Sequence, residues 1–273
     1  MLKDITLGQF FPGNSVIHKL DPRVKILICI AYIVGIFLCQ SISSYIFLIV
    51  STVLLMLISQ LPIKTVLKGL KPVVLVIFIT AVLNLLWRGG ETLLFSFWIL
   101  NIYLEAVVSS VFMMIRITTL VIGTCVILTY TTSPIALTDA IERLLSPLRI
   151  FKIPVHEFAM MMTIALRFVP TLVEETDKIM NAQKARGSDF STGSITERVK
   201  ALVPILVPLF ISAFRRADDL AVAMECRCYR GGSGRTRMTK LKLAKRDFFF
   251  LLLVAAFIAI TVLLNIHLPI YIP

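Results

Sequence analysis

Apolar runs of membrane-spanning length constrain the fold of this chain more than any other feature. From residue 24 to residue 61 the sequence is mostly apolar, whereas about 20 residues suffice to cross the hydrocarbon core of a bilayer. A polar stretch at residues 40–44 divides this run into two spans. Further spans are expected at about residues 72–87, 106–130 and 248–266. The sequence therefore predicts an all-α integral membrane protein with about five transmembrane helices.

The composition agrees with a membrane protein. Hydrophobic residues make up 58% of the 273 residues and charged residues only 16%, whereas soluble domains carry about 25% charged residues. The three histidines are scattered, and Cys226 and Cys228 have no second pair of ligands after them. We therefore expect no metal site.

The stretch 133–247 differs from the rest of the chain. It contains 19 of the 28 Lys and Arg residues and 12 of the 16 acidic residues, interleaved with apolar patches. Apolar residues recur every three or four positions, which is typical of amphipathic helices. We predict three regions: residues 1–132 with four spans, residues 133–247 with long amphipathic cytoplasmic helices, and residues 248–273 with a final transmembrane helix.

The distribution of basic residues predicts the orientation. Residues 1–25, 62–72 and 133–247 are basic, whereas residues 88–105 carry a single arginine. Because basic loops remain in the cytoplasm, the N-terminus is expected inside and the C-terminus outside.

Two segments are harder to interpret. Lys64, Lys68 and Lys71 recur at near-helical spacing, which favours a short amphipathic helix on the inner membrane surface. Residues 92–105 are rich in aromatic and aliphatic side chains, and fit either a hairpin on the outer side or a re-entrant segment.

Two arginine-centred tripeptides stand out within the basic region. Ala185-Arg186-Gly187 and Cys226-Arg227-Cys228 each end a segment that is expected to be helical, and their arginines are 41 residues apart. Asp177 and Asp218 lie nine residues before the respective arginines. A repeated element of this kind suits a twofold partner, and a guanidinium group with small neighbours can reach into a groove.

Four motifs together resemble one known family. They are Ala185-Arg186-Gly187, the segment 224–232 around Arg227, the N-terminal segment 18–23 (HKLDPR), and the step 131–134 (TTSP). In this order they are similar to the transmembrane T component of energy-coupling factor (ECF) transporters, over nearly the whole chain. The second tripeptide departs from the family's Ala-Arg-Gly, but it keeps the arginine between small residues.

The resemblance implies the function and the partners. In this family the two arginine motifs dock into two ATPase subunits, which bind ATP and Mg²⁺, and the T component holds a substrate-binding S component in a prokaryotic cell membrane. Ala185, Arg186, Gly187, Cys226, Arg227 and Cys228 are thus the expected docking residues. The unequal motifs favour an ATPase heterodimer.

The apolar faces of the cytoplasmic helices are expected to carry the motion. We predict a surface that couples to the S component and moves a vitamin inward, formed by Leu137, Ile141, Leu144, Leu148, Leu202, Leu206 and Phe210. A T component dedicated to cobalt or nickel is the alternative within the same class.

Arg116 is the other candidate functional residue. It lies inside the fourth span, where a charge costs about 2.5–3.5 kcal/mol and is usually paired or functional. Two interpretations remain open. Arg116 pairs with a helix carbonyl for structure, or it contacts the substrate or the S component.

Other function classes fit less well. The sequence has no Gly-x-x-x-x-Gly-Lys-Ser/Thr loop, so we expect a non-catalytic subunit without a cofactor of its own. A secondary transporter would need several mid-membrane ionisable groups. A membrane enzyme would need a cluster of His, Asp or Glu, and residues 174–177 (EETD) are expected on a solvated helix face. The basic charge is assigned to topology and not to nucleic acid.

Overall fold

The computed structural model describes residues 10–90, 92–97, 100–188, 194–231 and 243–267, and this part of the chain is almost entirely helical. The predicted all-α membrane architecture is confirmed, with one small β-hairpin added. The eight α-helices of the described residues are α1 (Pro22–Leu38), α2 (Ile42–Ser59), α3 (Ile63–Trp87), α4 (Leu104–Thr124), α5 (Pro134–Leu144), α6 (Val155–Ala185), α7 (Ile195–Cys226) and α8 (Lys245–His267).

Among the described residues, four helices are long and apolar enough to cross a bilayer. They are α2, α3, α8, and α4 together with a π-helical segment, Cys125–Thr129, that continues it. The expected first span is the 17-residue helix α1, which lies at the lower end of the range of about 17–25 residues for a transmembrane helix.

The helices divide into two compact units. One unit contains α1 to α4, the hairpin and α8, and the other contains α6, α7 and most of α5. In the first unit, α1 and α2 each pack against α4 and α8, and α3 packs along α4. The hydroxyl of Tyr32 on α1 joins three helices, because it lies 2.8 Å from the Thr52 hydroxyl on α2 and donates to the Thr119 carbonyl on α4.

The amphipathic helix expected around Lys64, Lys68 and Lys71 is not a separate element. These lysines lie in the first turns of α3, which continues through Pro72 to Trp87. The hydroxyl of Tyr130 packs against Gly69 and donates to the Thr65 carbonyl, and a side chain at Gly69 would collide with it. Helix α3 thus begins at Ile63, before residue 72 where the sequence predicted the start of this span.

The segment before α4 is a hairpin and not a re-entrant helix. Strand β1 (Leu93–Phe97) pairs antiparallel with β2 (Leu100–Tyr103), with a bulge between Leu93 and Phe95. Glu105 anchors the hairpin, because it accepts hydrogen bonds from the amide and hydroxyl of Thr92.

The second unit is built on two long helices. Helix α6 has 31 residues and α7 has 32, so each is roughly 47 Å long at 1.5 Å per residue. Helix α5 is short, and the 3₁₀ helix Ser146–Phe151 follows it. A contact of 2.9 Å between Glu142 and His156 joins α5 to α6.

Candidate functional site

The first arginine tripeptide closes α6. Arg186 is the C-cap residue, and Gly187 follows with a φ of +89°. The amide of Gly187 donates to the Lys184 carbonyl, and the amide of Ser188 reaches back to the Gln183 carbonyl, both at 3.0 Å. This pair of bonds is the Schellman arrangement, which favours glycine at the left-handed position.

The second tripeptide closes α7 in the same way. Arg227 is the C-cap residue, Cys228 donates to the Glu225 carbonyl at 2.8 Å, and Tyr229 donates to the Met224 carbonyl at 3.0 Å. Cys228 takes the left-handed position with a φ of +54°, which a side chain makes unfavourable. The sequence repeat is therefore a repeat of backbone geometry, even where Cys replaces Gly.

Both arginine side chains are exposed. Within the described residues, neither guanidinium group has a hydrogen bond or an ion pair with the protein. Each keeps its five N–H donors for a partner. Ala185, Gly187, Cys226 and Cys228 are also exposed, so no large neighbouring side chain in the tripeptides blocks either arginine.

Helices α6 and α7 run antiparallel. Gln183 near the end of α6 contacts the Pro204 carbonyl in the first part of α7, whereas Glu175 contacts Ser212 and Arg216 further along α7. Arg186 and Arg227 therefore lie at opposite ends of the helix pair.

Residues 174–177 were expected on a solvated helix face, and within this group Glu175 is partly exposed but also contacts α7. Its carboxylate accepts hydrogen bonds from the Ser212 hydroxyl and the Arg216 guanidinium group. Glu175 and Arg216 occupy equivalent positions of the 41-residue repeat.

The predicted coupling surface is distributed over three elements. Leu202, Leu206 and Phe210 follow one another every four residues on α7, and 47%, 46% and 61% of their surfaces are exposed. Ile141 is exposed on α5, Leu144 is half-buried there, and Leu148 is half-buried in the 3₁₀ helix. Leu137 belongs to the other compact unit.

Two of the sequence motifs meet at a lysine that the sequence analysis did not single out. Lys25 on α1 is 1% exposed, and its ammonium group donates to the Thr131 carbonyl at 2.8 Å and the Thr132 hydroxyl at 3.2 Å. It also donates to the His18 carbonyl at 3.3 Å. Lys25 therefore ties the segment 18–23 to the step 131–134, which closes the C-terminal end of α4.

Asp21 and Asp247 complete this end of the bundle. The Asp21 side chain caps α1 by accepting from the Arg23 amide at 2.9 Å. Its own amide donates to Asp247 at 2.9 Å, and Asp247 also accepts from the Ala244 amide ahead of α8. The first residues of α1 and α8 are thereby held together.

Arg116 has a structural partner. Its Nη2 donates to the carbonyl of Cys39, the C-cap residue of α1, at 2.9 Å. The guanidinium carbon lies 5.5 Å from the centre of the Tyr45 ring. A cation at the C-terminal end of a helix is favourable for the helix dipole.

The thiols of Cys226 and Cys228 are free and exposed. Within the part of the chain that the structure describes, no group of three or more His, Cys, Asp or Glu residues is placed to hold a metal ion.

Comparison with known proteins identifies relatives over nearly the full length. Residues 13–239 match the family model CbiQ, described as cobalt transport protein. The chain is 55% identical to the energy-coupling factor transporter transmembrane protein EcfT of Clostridium kluyveri over 267 residues, which cover 97% of this chain and 98% of that protein.

Proteins of the same name from other bacteria match with lower identity. Identity is 44% to EcfT of Lactococcus lactis, covering 96% of this chain and 97% of the relative. It is 44% to EcfT of Bacillus subtilis, covering 90% and 93%.

Proposed function

Because this chain belongs to the family of energy-coupling factor transporter transmembrane proteins, we propose that it transmits the motion of two ATPase subunits to a substrate-binding S component. The observation that carries this proposal is the repeated helix end: Arg186 and Arg227 are exposed at equivalent C-cap positions of α6 and α7. A repeated element suits a partner that presents two similar sockets.

The arginines supply the contact with the ATPases. Each guanidinium group can form paired hydrogen bonds with carboxylate or carbonyl oxygens in a groove. The ATPases bind ATP and Mg²⁺ and perform the hydrolysis. Closure of their dimer shifts the two docked helix ends, and the difference between Gly187 and Cys228 fits two unequal sockets and hence a heterodimer.

The long helices act as levers. The Schellman bonds fix each arginine to the last turn of its helix, so displacement of the arginine moves the helix and not a loose tail. The bonds from Glu175 to Ser212 and Arg216 join the two levers near their middle. Motion at either end is therefore passed to both helices.

The exposed apolar stripe of α7 is the proposed contact with the S component. A surface of this kind on a membrane-associated helix suits a partner that is itself apolar. Leu202, Leu206 and Phe210, with Ile141, Leu144 and Leu148, form the sliding surface on which the S component reorients and releases a vitamin. Leu137 completes the set on the first turn of α5.

The membrane orientation follows from charge. Placing Arg186 and Arg227 beside cytoplasmic ATPases requires the basic regions to lie inside the cell, as the excess of Lys and Arg predicts. The protein is then a multi-pass protein of the prokaryotic cell membrane, with the N-terminus inside and the C-terminus outside.

Charge-removing variants test the proposal. We expect Arg186→Ala together with Arg227→Ala to abolish ATP-driven uptake and the co-purification of the ATPases, since loss of one partner of a buried charge pair costs about 2–5 kcal/mol. Arg215→Ala is the matched control, because Arg215 is also exposed on α7. Unchanged uptake and unchanged ATPase recovery in the double variant would refute the proposal.

A metal importer is the second candidate. The observation that favours it is the description of the matching family model as a cobalt transport protein. Purification in mild detergent followed by identification of the bound S component separates the two. A vitamin-binding S component supports the first candidate, and one with a site for cobalt or nickel supports the second.

A further inference from the structure

A cleft in the first compact unit is lined by both polar and apolar side chains. Its volume is about 490 Å³, within the usual range of about 300–1,000 Å³ for small-molecule sites. Arg116, Arg88, Gln40 and Asn84 contribute the polar part of the lining, and Phe112 and Ile117 are among the apolar residues. No carboxylate is among the described residues that line it.

Arg116 has donors to spare in this cleft. Its Nη2 is used by the Cys39 carbonyl, but its Nε is buried without a hydrogen-bond partner among the described residues. A buried donor left without a partner is costly. The geometry is therefore that of a guanidinium group held in place by a backbone carbonyl, with further donors for an anion.

The turn between α1 and α2 indicates where the cleft lies relative to the membrane. Arg116 lies in the middle of α4, but the carbonyl it binds belongs to this turn. Asn265, near the end of α8, accepts from the Gln40 and Ser41 amides and donates to the Leu38 carbonyl. Three helix ends and their polar groups thus meet at one level. Since polar backbone is not left in contact with lipid tails, this level corresponds to the headgroup region on that side of the protein.

We propose that this cleft binds the headgroup of an anionic phospholipid, with the phosphate on Arg116. Arginine binds phosphate through parallel hydrogen bonds. Basic pockets between transmembrane helices on the cytoplasmic side take anionic lipid headgroups, and in the proposed orientation this cleft offers the same chemistry at the outer ends of α1 and α2. Gln40 and Asn84 offer hydrogen bonds to the hydroxyl groups of a glycerol headgroup. Phe112 and Ile117 cover the first part of an acyl chain.

The lining selects against zwitterionic lipids. A choline or ethanolamine group places a cation beside Arg88 and Arg116, and the described lining residues include no carboxylate to pair with that cation. The apolar part of the lining favours a lipid over free inorganic phosphate, because only the lipid brings a hydrocarbon chain to cover these side chains.

Native mass spectrometry of the purified full chain tests the proposal. The protein is incubated with equal amounts of dioleoyl phosphatidylglycerol and dioleoyl phosphatidylcholine, and the bound lipids are counted. We expect about tenfold preferential retention of phosphatidylglycerol. Both lipids bring a phosphate, but the choline group places a cation beside Arg88 and Arg116 and has no hydroxyl for Gln40 and Asn84. We expect Arg116→Gln to reduce the preference to about twofold or less.

A second variant separates binding from folding, since Arg116 also closes α1. Asn84→Leu leaves the contact between Arg116 and Cys39 in place, but it removes the amide and narrows the cleft. It is expected to lower phosphatidylglycerol retention without lowering the melting temperature. Arg230→Gln, an exposed arginine outside the cleft, is the control and should retain the preference. Equal retention of both lipids by the wild-type protein would overturn the proposal, as would displacement of phosphatidylglycerol by millimolar inorganic phosphate.

Discussion

Glu175 on α6 and Arg216 on α7 form an ion pair, and each lies eleven residues before the arginine that caps its own helix. Because the helices are antiparallel, the two helix ends extend in opposite directions from this contact. Eleven residues of helix correspond to roughly 16 Å, so Arg186 and Arg227 are separated by up to about 33 Å along the helix axes. This separation suits two sockets on two subunits better than one.

The first prediction concerns this ion pair. Glu175→Arg brings two cations together, and we expect a loss of about 1 kcal/mol in the free energy of unfolding, because the pair is partly exposed and solvent screens it. The reversed pair, Glu175→Arg with Arg216→Glu, is expected to recover most of this loss. Thermal unfolding of the purified chain measures both.

Glu174→Arg provides the matched control for the ion pair. Glu174 is adjacent and exposed on the same helix, so its replacement should change the melting temperature little. If Glu174→Arg and Glu175→Arg proved equally destabilising, the contact between Glu175 and Arg216 would not be the cause.

The second prediction concerns the two helix ends. Gly187→Ala places a side chain at a φ of +89°, where it meets open space but strains the backbone, so we expect a cost of about 1 kcal/mol. Cys228→Gly is expected to stabilise the end of α7 by a similar amount, since it removes a side chain from a left-handed residue. Amide hydrogen exchange at Ser188 and Tyr229 reports on the two Schellman bonds.

Cys228→Ala separates the backbone effect from the loss of the thiol. It keeps a β-carbon at the left-handed position, and we expect exchange at Tyr229 to stay at the wild-type rate. Slower exchange in Cys228→Ala, matching that in Cys228→Gly, would mean that the thiol and not the backbone sets the stability of this helix end.

The two helix ends can be predicted from the sequence because their determinants are local. The Schellman bonds of Gly187 and Ser188 connect residues at most five positions apart, so a tripeptide is enough to mark them. The contact between Glu175 and Arg216 spans 41 residues, and the position of Lys25 depends on carbonyls 106 residues away. A local sequence pattern encodes neither of these long-range contacts.

The sequence left the hairpin undecided and placed the start of α3 too late, for a related reason. Residues 93–103 are apolar on both faces of the strands, so they lack the alternation that indicates a half-buried strand. Pro72 suggested a helix start, but helix α3 accommodates it between the lysines and the apolar part. In each case tertiary packing overrides the local signal.

The third prediction concerns Lys25. Lys25→Met keeps the length of the side chain but leaves the buried Thr131 carbonyl and Thr132 hydroxyl without this donor. We expect a loss of about 2–3 kcal/mol in the free energy of unfolding and easier proteolysis of residues 10–21. Lys19→Met is the control, because Lys19 is exposed. Equal melting temperatures for the two variants would contradict a structural role for Lys25.

The fourth prediction concerns the pH response of the N-terminal segment. His18 packs against Gly13, its Nε2 lies 3.0 Å from the Phe11 carbonyl oxygen, and its Nδ1 lies 2.6 Å from the Ser15 hydroxyl. Burial lowers the pKa of His18 below its usual value of 6.5, and the charge of Lys25 lowers it further, although the Phe11 carbonyl acts in the opposite direction.

The sign of the effect follows from this lowered pKa. Above pH 6.5 the imidazole is neutral in both folded and unfolded chains, and its contacts are complete. As the pH falls below 6.5, the unfolded chain binds the proton first, so the stability of the segment decreases until the pH passes the lower pKa of the folded state. We expect the melting temperature of the wild-type chain to fall more steeply than that of His18→Gln between pH 6.5 and 5.5, because glutamine does not titrate. Parallel pH curves for the two proteins would show that His18 does not control this response.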